Sequence, residues 1–477
     1  MRVKIKTCQN SPLSSTRIAS TPRSRLAPAI GLAALVLSTL GACSHGHQPQ
    51  ASQAAMQRPV PEPLLSAANI SRACQRVRQN LGAKNWALLL AHLRTVNKNI
   101  ATHGVAYNAK YKLWLFTGYD YGTYYDWDDY FENIYLAYNG ISRFAVNNPT
   151  LFLKLEHPDG FIPRYLSPNG YQKDAQFKPF LAQIAWLGFM QRHDIGWLKA
   201  HFARLALYLK KWCSYDTDHN GLAYWPQGCD QAGMDNQWSR TVGRSEGVDL
   251  NCYLVREYRA MARIAAVLGK PAVEKEYLMR ASHLAHLINT ILWDANRGFY
   301  FDRNEVTGKL TQVLSVSGFT PLWAGVASRR QASDLVRRHL INPAQFWLKY
   351  PIASYAQTEP DFYEGSRHGE CNWRGSAWIP TNYMIFHGLM RYGYFNAARQ
   401  LAYRTCQMAL KSAQTREYYN SQTGAGLGRD PFWGWSALAY VMPFEYQLQY
   451  NPTSLQAGDV PNLIVAIGVT APHIPGN

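Results

Sequence analysis

Residues 374–412 read "RGSAWIPTNYMIFHGLMRYGYFNAARQLAYRTCQMALKS" and indicate the class of fold. Apolar side chains recur three and four positions apart up to Gly393, and again from Phe395 onward, which predicts two amphipathic α-helices. Only a few residues separate the two patterns, and helices joined by so short a connection pack as antiparallel neighbours. This stretch therefore predicts that helical hairpins are the unit from which the fold is built.

The same helical period recurs along most of the chain. We find no fixed sequence repeat, and long aromatic, glycine-rich loops separate the helical pairs. Strand signals are few, although residues 297–303 predict a small β-hairpin. The pattern predicts an all-α fold, an (α/α)6 toroid whose inner helices surround a cavity with the site at one end. The other helical segments are 85–101, 176–193, 196–213, 248–269, 272–293 and 434–448.

Charge and composition exclude several classes of protein. The chain has 477 residues and a formal charge of +18, from 49 lysines and arginines against 31 acidic residues. The cations are scattered between helices and form no run of the kind that binds nucleic acid, so no nucleic-acid partner is predicted. No cysteine and histidine spacing suits zinc, and no glycine-rich nucleotide loop is present. We predict neither a metal nor a cofactor.

The N-terminal residues predict export to the bacterial cell envelope. A basic segment leads into an apolar run at about 27–40, which is too short to span a bilayer and is typical of a signal peptide over residues 1–42. Its end, Leu40-Gly41-Ala42-Cys43, resembles a lipobox, so Cys43 is predicted to be lipidated and to anchor the protein in a membrane. Ser44 favours the outer membrane. An ordinary signal peptide, which would leave a periplasmic or exported protein, is the alternative.

The remaining chain predicts one folded domain. Residues 43–63 are polar and rich in proline and glutamine, which predicts a flexible tether. A catalytic domain is predicted over 64–450, followed by an extended C-terminal tail over 451–477. Cys213 and Cys229 flank a loop, and an exported chain can oxidise them, so they are the best candidates for a disulfide. A monomer is expected.

Two carboxylates in loops are candidates for acid–base chemistry. Glu417 lies in "REYYNSQTGAGLG" (416–428), and Asp235 lies in "AGMDN" (232–236). Sugars stack on aromatic rings such as those that follow Glu417, and positioned carboxylates can move protons to and from a reacting group. Asp235 and its neighbours also fit an ordinary turn, and the acids of "DWDDYF" (126–131) also fit a helix start.

Four stretches, taken in chain order, resemble the α-glycosidases of glycoside hydrolase family 63. The resemblance is to the mannosylglycerate hydrolase-like branch, with trehalases as more distant kin, and it covers about residues 85–448. "DWDDYF" and "AGMDN" are similar to the family's Trp-Asp-Ser/Ala-Tyr/Ala-Phe and Ser-Gly-Met-Asp-Asn segments. "NWRGSAW" (372–378) and "REYYNSQTGAGLG" are similar to its Trp-Arg-Gly and Glu-Tyr-Tyr/Phe motifs.

The resemblance implies a carbohydrate substrate and hydrolysis of an α-linked glucoside or mannoside with inversion. Asp235 would be the general acid and Glu417 the general base, and an inverting pair needs carboxyl groups roughly 6.5–9.5 Å apart. The alternatives are a catalytically silent carbohydrate-binding lipoprotein of the same fold, or a trehalase. The sugar-binding residues would be Trp127, Asp128, Tyr130, Phe131, Gln183, Asn236, Trp373, Arg374, Trp378, Asn382, Tyr418 and Trp433.

Overall fold

The structure is a computed structural model that describes residues 66–226, 233–235, 237, 240, 244–365, 371–456 and 460–475. All of these residues belong to one compact unit. The predicted signal peptide, the tether and the lipidation site Cys43 lie outside the described residues. So do Asn236 and Cys229, and the disulfide predicted between Cys213 and Cys229 stays a prediction.

Thirteen α-helices lie within the described ranges. They are α1 (Ala67–Asn99), α2 (Asp126–Ala137), α3 (Phe144–Lys154), α4 (Leu181–Arg192), α5 (Ile195–Cys213), α6 (Val248–Val267), α7 (Pro271–Ile291), α8 (Thr320–Ala324), α9 (Arg329–Asp334), α10 (Ile379–Arg391), α11 (Phe395–Ala409), α12 (Leu438–Leu448) and α13 (Leu463–Ala466).

Eleven short β-strands in the same ranges form small antiparallel sheets in the loops: β1 with β2, β3 with β4 and β5, β6 with β9, β7 with β8, and β10 with β11. They are β1 (Val105–Asn108), β2 (Leu113–Phe116), β3 (Tyr124–Tyr125), β4 (Tyr165–Ser167), β5 (Gly170–Tyr171), β6 (Ser245–Glu246), β7 (Trp293–Asp294), β8 (Phe299–Tyr300), β9 (Arg303–Asn304), β10 (Tyr418–Tyr419) and β11 (Gly426–Leu427).

Six helices close into a ring. Helix α2 packs on α4, α4 on α6, α6 on α8, α8 on α10, α10 on α12, and α12 returns to α2. Other helices lie outside this ring, with α3 against α4, α7 against α6, α11 against α10 and α12, and α1 against α12. Inner and outer helices alternate along the chain, so the predicted (α/α)6 toroid is confirmed.

Burial distinguishes inner from outer helices in the hairpin of residues 374–412. Inner helix α10 is buried all round from Ile379 to Leu389, as expected of a helix with neighbours on every side. Outer helix α11 buries one face and exposes the other. The turn between them includes Gly393 at φ 81°, a left-handed conformation that glycine adopts without steric cost.

Two predicted elements differ from the observed ones. The helix predicted from residue 85 begins at Ala67, with Ser66 as its N-cap, and the chain kinks at Gly82, whose φ of 77° is not helical. This break interrupts the apolar period, which is why the first half was missed. The hairpin predicted at 297–303 lies instead at 293–300, because β8 pairs with the preceding strand β7 through a turn that includes Gly298.

The described part of the C-terminal tail packs against the helical body. Asn97 Nδ2 donates to Thr470 O at 2.8 Å, and Ile464 N donates to Tyr138 O at 3.0 Å. Tyr138 follows the C-terminal end of α2, so the tail crosses the end of the ring away from the start of that helix. No helix within the described ranges combines the length and the apolar character needed to cross a lipid bilayer.

Candidate active site

A cavity of about 680 Å³ opens at the N-terminal end of the inner helices. Its walls come from segments that lead into or begin α2, α4, α6, α10 and α12. The partial positive charge at a helix N-terminus favours carboxylates and other anions in such a place. The lining residues are Tyr119, Tyr121, Tyr125, Trp127, Asp128, Arg164, Tyr165, Gln172, Gly233, Asp235, Cys371, Trp373, Trp378, Glu417, Tyr418, Gly428, Arg429 and Trp435.

Glu417 lies at the start of the β10–β11 hairpin and is held by the loop that follows it. Its Oε2 accepts a hydrogen bond from the backbone N of Arg429 at 3.0 Å. A Cβ at Gly428, where φ is 71°, would lie 2.5 Å from the same oxygen, so the loop can approach only with glycine there. Burial raises the pKa of Glu417, Arg429 opposes the rise, and the charge of Asp235 adds to it.

Asp235 lines the same cavity from the segment before α6, and its side chain is 27% exposed. Arg164 Nη2 lies 3.3 Å from Asp235 Oδ1. Gly233, two positions earlier, has φ 80°, and a Cβ there would lie 2.7 Å from the ring of Trp225. The chain therefore turns tightly against Trp225 before it presents Asp235 to the cavity.

Stacked aromatic rings form part of the cavity wall. The rings of Trp373 and Trp378 are nearly parallel, at 7°, with centroids 3.9 Å apart. Tyr418 continues the stack 4.5 Å from Trp378, and Trp127 lies 5.8 Å from Trp373. Aromatic faces of this kind combine a large apolar contact area with fixed geometry, which suits the C–H face of a sugar ring.

Asp128 supplies a polar group beside these rings. It lies in the first turn of α2, and Tyr119 Oη donates to its Oδ1 at 3.0 Å. Burial, together with the neighbouring charge of Asp126, raises the pKa of Asp128 to about 8. Its carboxyl group therefore carries a proton over most of the neutral range and can both donate and accept hydrogen bonds.

A sequence model of a family described as the mannosylglycerate hydrolase MGH1-like glycoside hydrolase domain matches residues 121–436. Of the residues that line the cavity, Tyr119 alone lies outside this match. The chain belongs to this glycoside hydrolase family. Among its relatives, mannosylglycerate hydrolase from Thermus thermophilus is 33% identical over 195 residues, which is 40% of this chain and 43% of that protein.

Solved structures share the toroid. A GH63 mannosylglycerate hydrolase from Thermus thermophilus, in complex with glucose, superposes with a TM-score of 0.60 at 22% identity, over 74% of this chain and 99% of that one. Neutral trehalase from Saccharomyces cerevisiae superposes with a TM-score of 0.56 at 17% identity, over 79% and 82% of the two chains. The chain spans less than half the length of the curated mannosylglycerate hydrolases that it matches.

The fold brings part of the predicted glycoside hydrolase site together at the cavity. The two predicted catalytic carboxylates line it, although they come from distant parts of the chain. The aromatic stack and Asp128 line the same cavity. The predicted residues that line the cavity are Trp127, Asp128, Asp235, Trp373, Trp378, Glu417 and Tyr418.

Other predicted sugar-binding residues lie behind the cavity wall. Tyr130 and Phe131 are one turn further along α2 than Trp127 and pack against Phe180, with centroids 5.3 and 5.8 Å away. Gln183 is buried, and its Oε1 accepts from Arg256 Nε at 2.7 Å. These side chains support the wall rather than face the cavity.

Three more predicted residues make structural contacts outside the lining. Asn382 Oδ1 accepts from Ile352 N at 3.0 Å, and its Nδ2 donates to Pro351 O at 2.9 Å. Trp433 Nε1 donates to Thr117 O at 2.6 Å. The guanidinium of Arg374 lies 5.3 Å from the ring centroid of Tyr363.

Sequence reasoning missed several residues of the lining. Trp435 could have been found, because it belongs to the aromatic run after Glu417. Arg164, Gln172 and Arg429 are single polar residues in loops without a period, and nothing local distinguishes them. The other missed lining residues are Tyr119, Tyr121, Tyr125, Tyr165, Gly233, Cys371 and Gly428. The described residues hold no group of three or more His, Cys, Asp or Glu side chains arranged to bind a metal ion.

Proposed function

We propose that the protein is an inverting glycoside hydrolase that cleaves an α-linked glucoside or mannoside, with Asp235 as the general acid and Glu417 as the general base. The observation that carries this proposal is that these two carboxylates, distant in sequence, line one aromatic cavity at the open end of the toroid. Membership of a glycoside hydrolase family supports it.

In the proposed reaction, Glu417 accepts a proton from water as the water oxygen attacks the anomeric carbon. Asp235 gives its proton to the departing glycosidic oxygen, and the bond between that oxygen and the anomeric carbon breaks. The new bond forms on the face opposite the leaving group, so an α-glycoside yields a β-sugar. Each proton transfer contributes roughly 10²–10⁴-fold to the rate.

The surroundings of the two carboxylates suit unequal roles. The amide of Arg429 fixes Oε2 of Glu417, and Oε1, which lies beside Cys371 in the cavity wall, would accept the proton of a bound water. Arg164 favours the ionised form of Asp235, because an adjacent positive charge stabilises a carboxylate. A sugar that fills the cavity excludes water and disfavours the ionised form, so that Asp235, still oriented by Arg164, can hold its proton for the leaving oxygen.

The aromatic stack and Asp128 would hold the sugar. Trp373 and Trp127 line the cavity and would contact the C–H surface of the sugar, and Asp128 can bond two hydroxyl groups when it carries a proton. This arrangement suits an uncharged hexosyl unit. The same cavity could take trehalose, so that sugar is included in the test below.

The N-terminal sequence supports a location in the cell envelope. A signal peptide that ends at Cys43 would attach the enzyme by a lipid, most simply to the outer membrane, and a periplasmic or exported form is the alternative. Glycan hydrolysis at the cell surface would fit either form.

The decisive experiment is hydrolysis of defined substrates by the purified protein, with the anomer of the product read by NMR. The panel contains α-glucosides, α-mannosides, trehalose and mannosylglycerate. We expect the β-anomer to appear first. First appearance of the α-anomer would contradict inversion. Sugar binding without hydrolysis of any member of the panel would support a catalytically silent binding protein instead.

A further inference from the structure

Arg429 joins two loops across the mouth of the cavity. Its backbone N donates to Glu417 Oε2, and its guanidinium carbon lies 4.6 Å from the ring centroid of Tyr121. Tyr121 belongs to the loop before α2, whereas Arg429 follows the β10–β11 hairpin. Both side chains line the cavity, and Arg429 is exposed there.

We propose that Arg429 is a positioning residue for the base Glu417. Its side chain packs on the ring of Tyr121, here called the platform, and from there Arg429 holds the Glu417 carboxylate in place. This inference rests on the proposed role of Glu417 in hydrolysis. The backbone of Arg429 directs one carboxylate oxygen, and its side chain both anchors the loop and places a positive charge beside that carboxylate.

The platform is itself rigid. Tyr121 Oη donates to Tyr125 Oη at 3.3 Å, and the ring of Tyr121 packs on Tyr119 with centroids 4.9 Å apart. Tyr119 in turn packs against Trp435 and Phe432, which belong to the same loop as Arg429. An arginine side chain on such a surface loses little further freedom when it takes up its position.

The neighbouring acid does not compete for Arg429. Asp430 is paired with Arg416 and accepts a hydrogen bond from Gln414 Nε2 at 2.5 Å. The charge of Arg429 therefore acts on Glu417 rather than on the residue next to it. In the sequence, a single arginine after the glycine-rich loop does not differ from an ordinary surface residue. Only its contacts with Glu417 and Tyr121 in the folded protein identify it.

Several groups face the Glu417 carboxylate, and Arg429 is the cation among those that influence it. Burial raises the pKa of Glu417, and the charge of Asp235 raises it further, while the backbone and side chain of Arg429 lower it. Cys371 Sγ lies 3.8 Å from Glu417 Oε1, and the hydroxyl groups of Tyr119 and Tyr121 are also near enough to interact with its charge. Arg429→Ala removes the positive charge but keeps the backbone N–H, so Glu417 retains that hydrogen bond and loses only the electrostatic stabilisation that opposes burial and the charge of Asp235.

The test compares the pH dependence of kcat/KM for wild type, Arg429→Ala, Arg429→Lys, Tyr121→Ala and the double variant Arg429→Ala/Tyr121→Ala. In Arg429→Ala we expect the acid limb of the profile to move up by about one pH unit, which gives about a tenfold loss at the acid end. Arg429→Lys retains the charge, so its limb stays near that of wild type. The double variant should be little worse than Arg429→Ala, because both changes disrupt one contact.

A matched control separates this effect from general loss of a cation–aromatic pair. Arg399→Ala removes an exposed arginine 5.7 Å from the ring of Tyr403 on outer helix α11, outside the cavity, and should leave the profile unchanged. An unmoved acid limb in Arg429→Ala, or losses that multiply in the double variant, would overturn the inference. A wild type that hydrolyses no member of the panel would instead refute the proposed function, so the two failures can be told apart.

Discussion

Arg164 Nη2 lies 3.3 Å from Asp235 Oδ1, so the carboxyl group proposed to donate a proton has a positive charge beside it. The two residues come from segments that lead into different inner helices. We expect Arg164→Ala to lower kcat/KM by about tenfold to 100-fold, because Asp235 loses the partner that orients it. Arg164→Lys should recover part of this loss. Steady-state kinetics of both variants check the prediction, which unchanged activity in Arg164→Ala would contradict.

The proposed acid and base make a second prediction. Asp235→Asn and Glu417→Gln keep the size of each side chain but remove its ability to exchange a proton. We expect each to reduce kcat by about 10²–10⁴-fold while sugar binding, measured by calorimetry, persists. Glu276→Gln is the matched control, because Glu276 lies on the exposed face of α7 and pairs with Arg280 alone among the described residues. Near-normal turnover by either active-site variant would remove that residue from the mechanism.

Gly428 lets the loop approach the base, so its replacement should affect catalysis more than stability. In Gly428→Ala the new Cβ would lie 2.5 Å from Glu417 Oε2, in addition to the strain of a φ of 71°. We expect at least about a tenfold loss of kcat/KM, since the carboxylate has to move. Gly393→Ala, at φ 81° with nothing within 4 Å of its Cβ, should lose only about 1–2 kcal/mol of stability. Equal activity in the two variants would refute this role of Gly428.

The raised pKa of Asp128 predicts that the stability of the folded protein depends on pH. Its pKa in the folded state is about 8, above its ordinary value. Between about pH 4 and pH 8, the folded protein therefore binds a proton at Asp128 that the unfolded chain has released. This group therefore makes the folded state progressively less stable as pH rises through that window. Asp128→Asn should flatten that part of the curve of Tm against pH. Parallel curves for the two proteins would show that Asp128 ionises normally.

The N-terminal proposal can be tested in cells. We expect the full-length chain to partition into the membrane fraction and to release from it with detergent, and Cys43→Ser to move to the soluble fraction or to remain unprocessed. Cys8→Ser is the control, because Cys8 lies within the predicted signal peptide and would be removed with it. A soluble wild type with the same mass as Cys43→Ser would argue for an ordinary signal peptide.

Helix α2 explains why some of the site was predictable and some was not. Trp127 and Asp128 were found through their motif, and they line the cavity. Tyr130 and Phe131 belong to the same motif but pack into the core. Every residue of α2 is buried, so its apolar pattern contains no contrast between a side that faces the cavity and a side that faces other helices.

Arg164 and Arg429 are residues of the site that the sequence alone did not predict. Each is one cation in a loop without period, and its partner, Asp235 or Tyr121, lies far away in the chain. No local pattern records such a contact, since it exists only after the loops meet above the ring.

Most of the helical segments and the two loop carboxylates follow from the amino-acid sequence alone, because helix periodicity, short connections and motif spacing are properties of neighbouring residues. Helices α3, α8 and α9 were not among the predicted segments. Closure of the ring from α12 back to α2 selects which side chains share the cavity and which cation meets which carboxylate. That closure depends on packing between helices that are remote in the chain, so it is a property of the folded protein and of no local pattern.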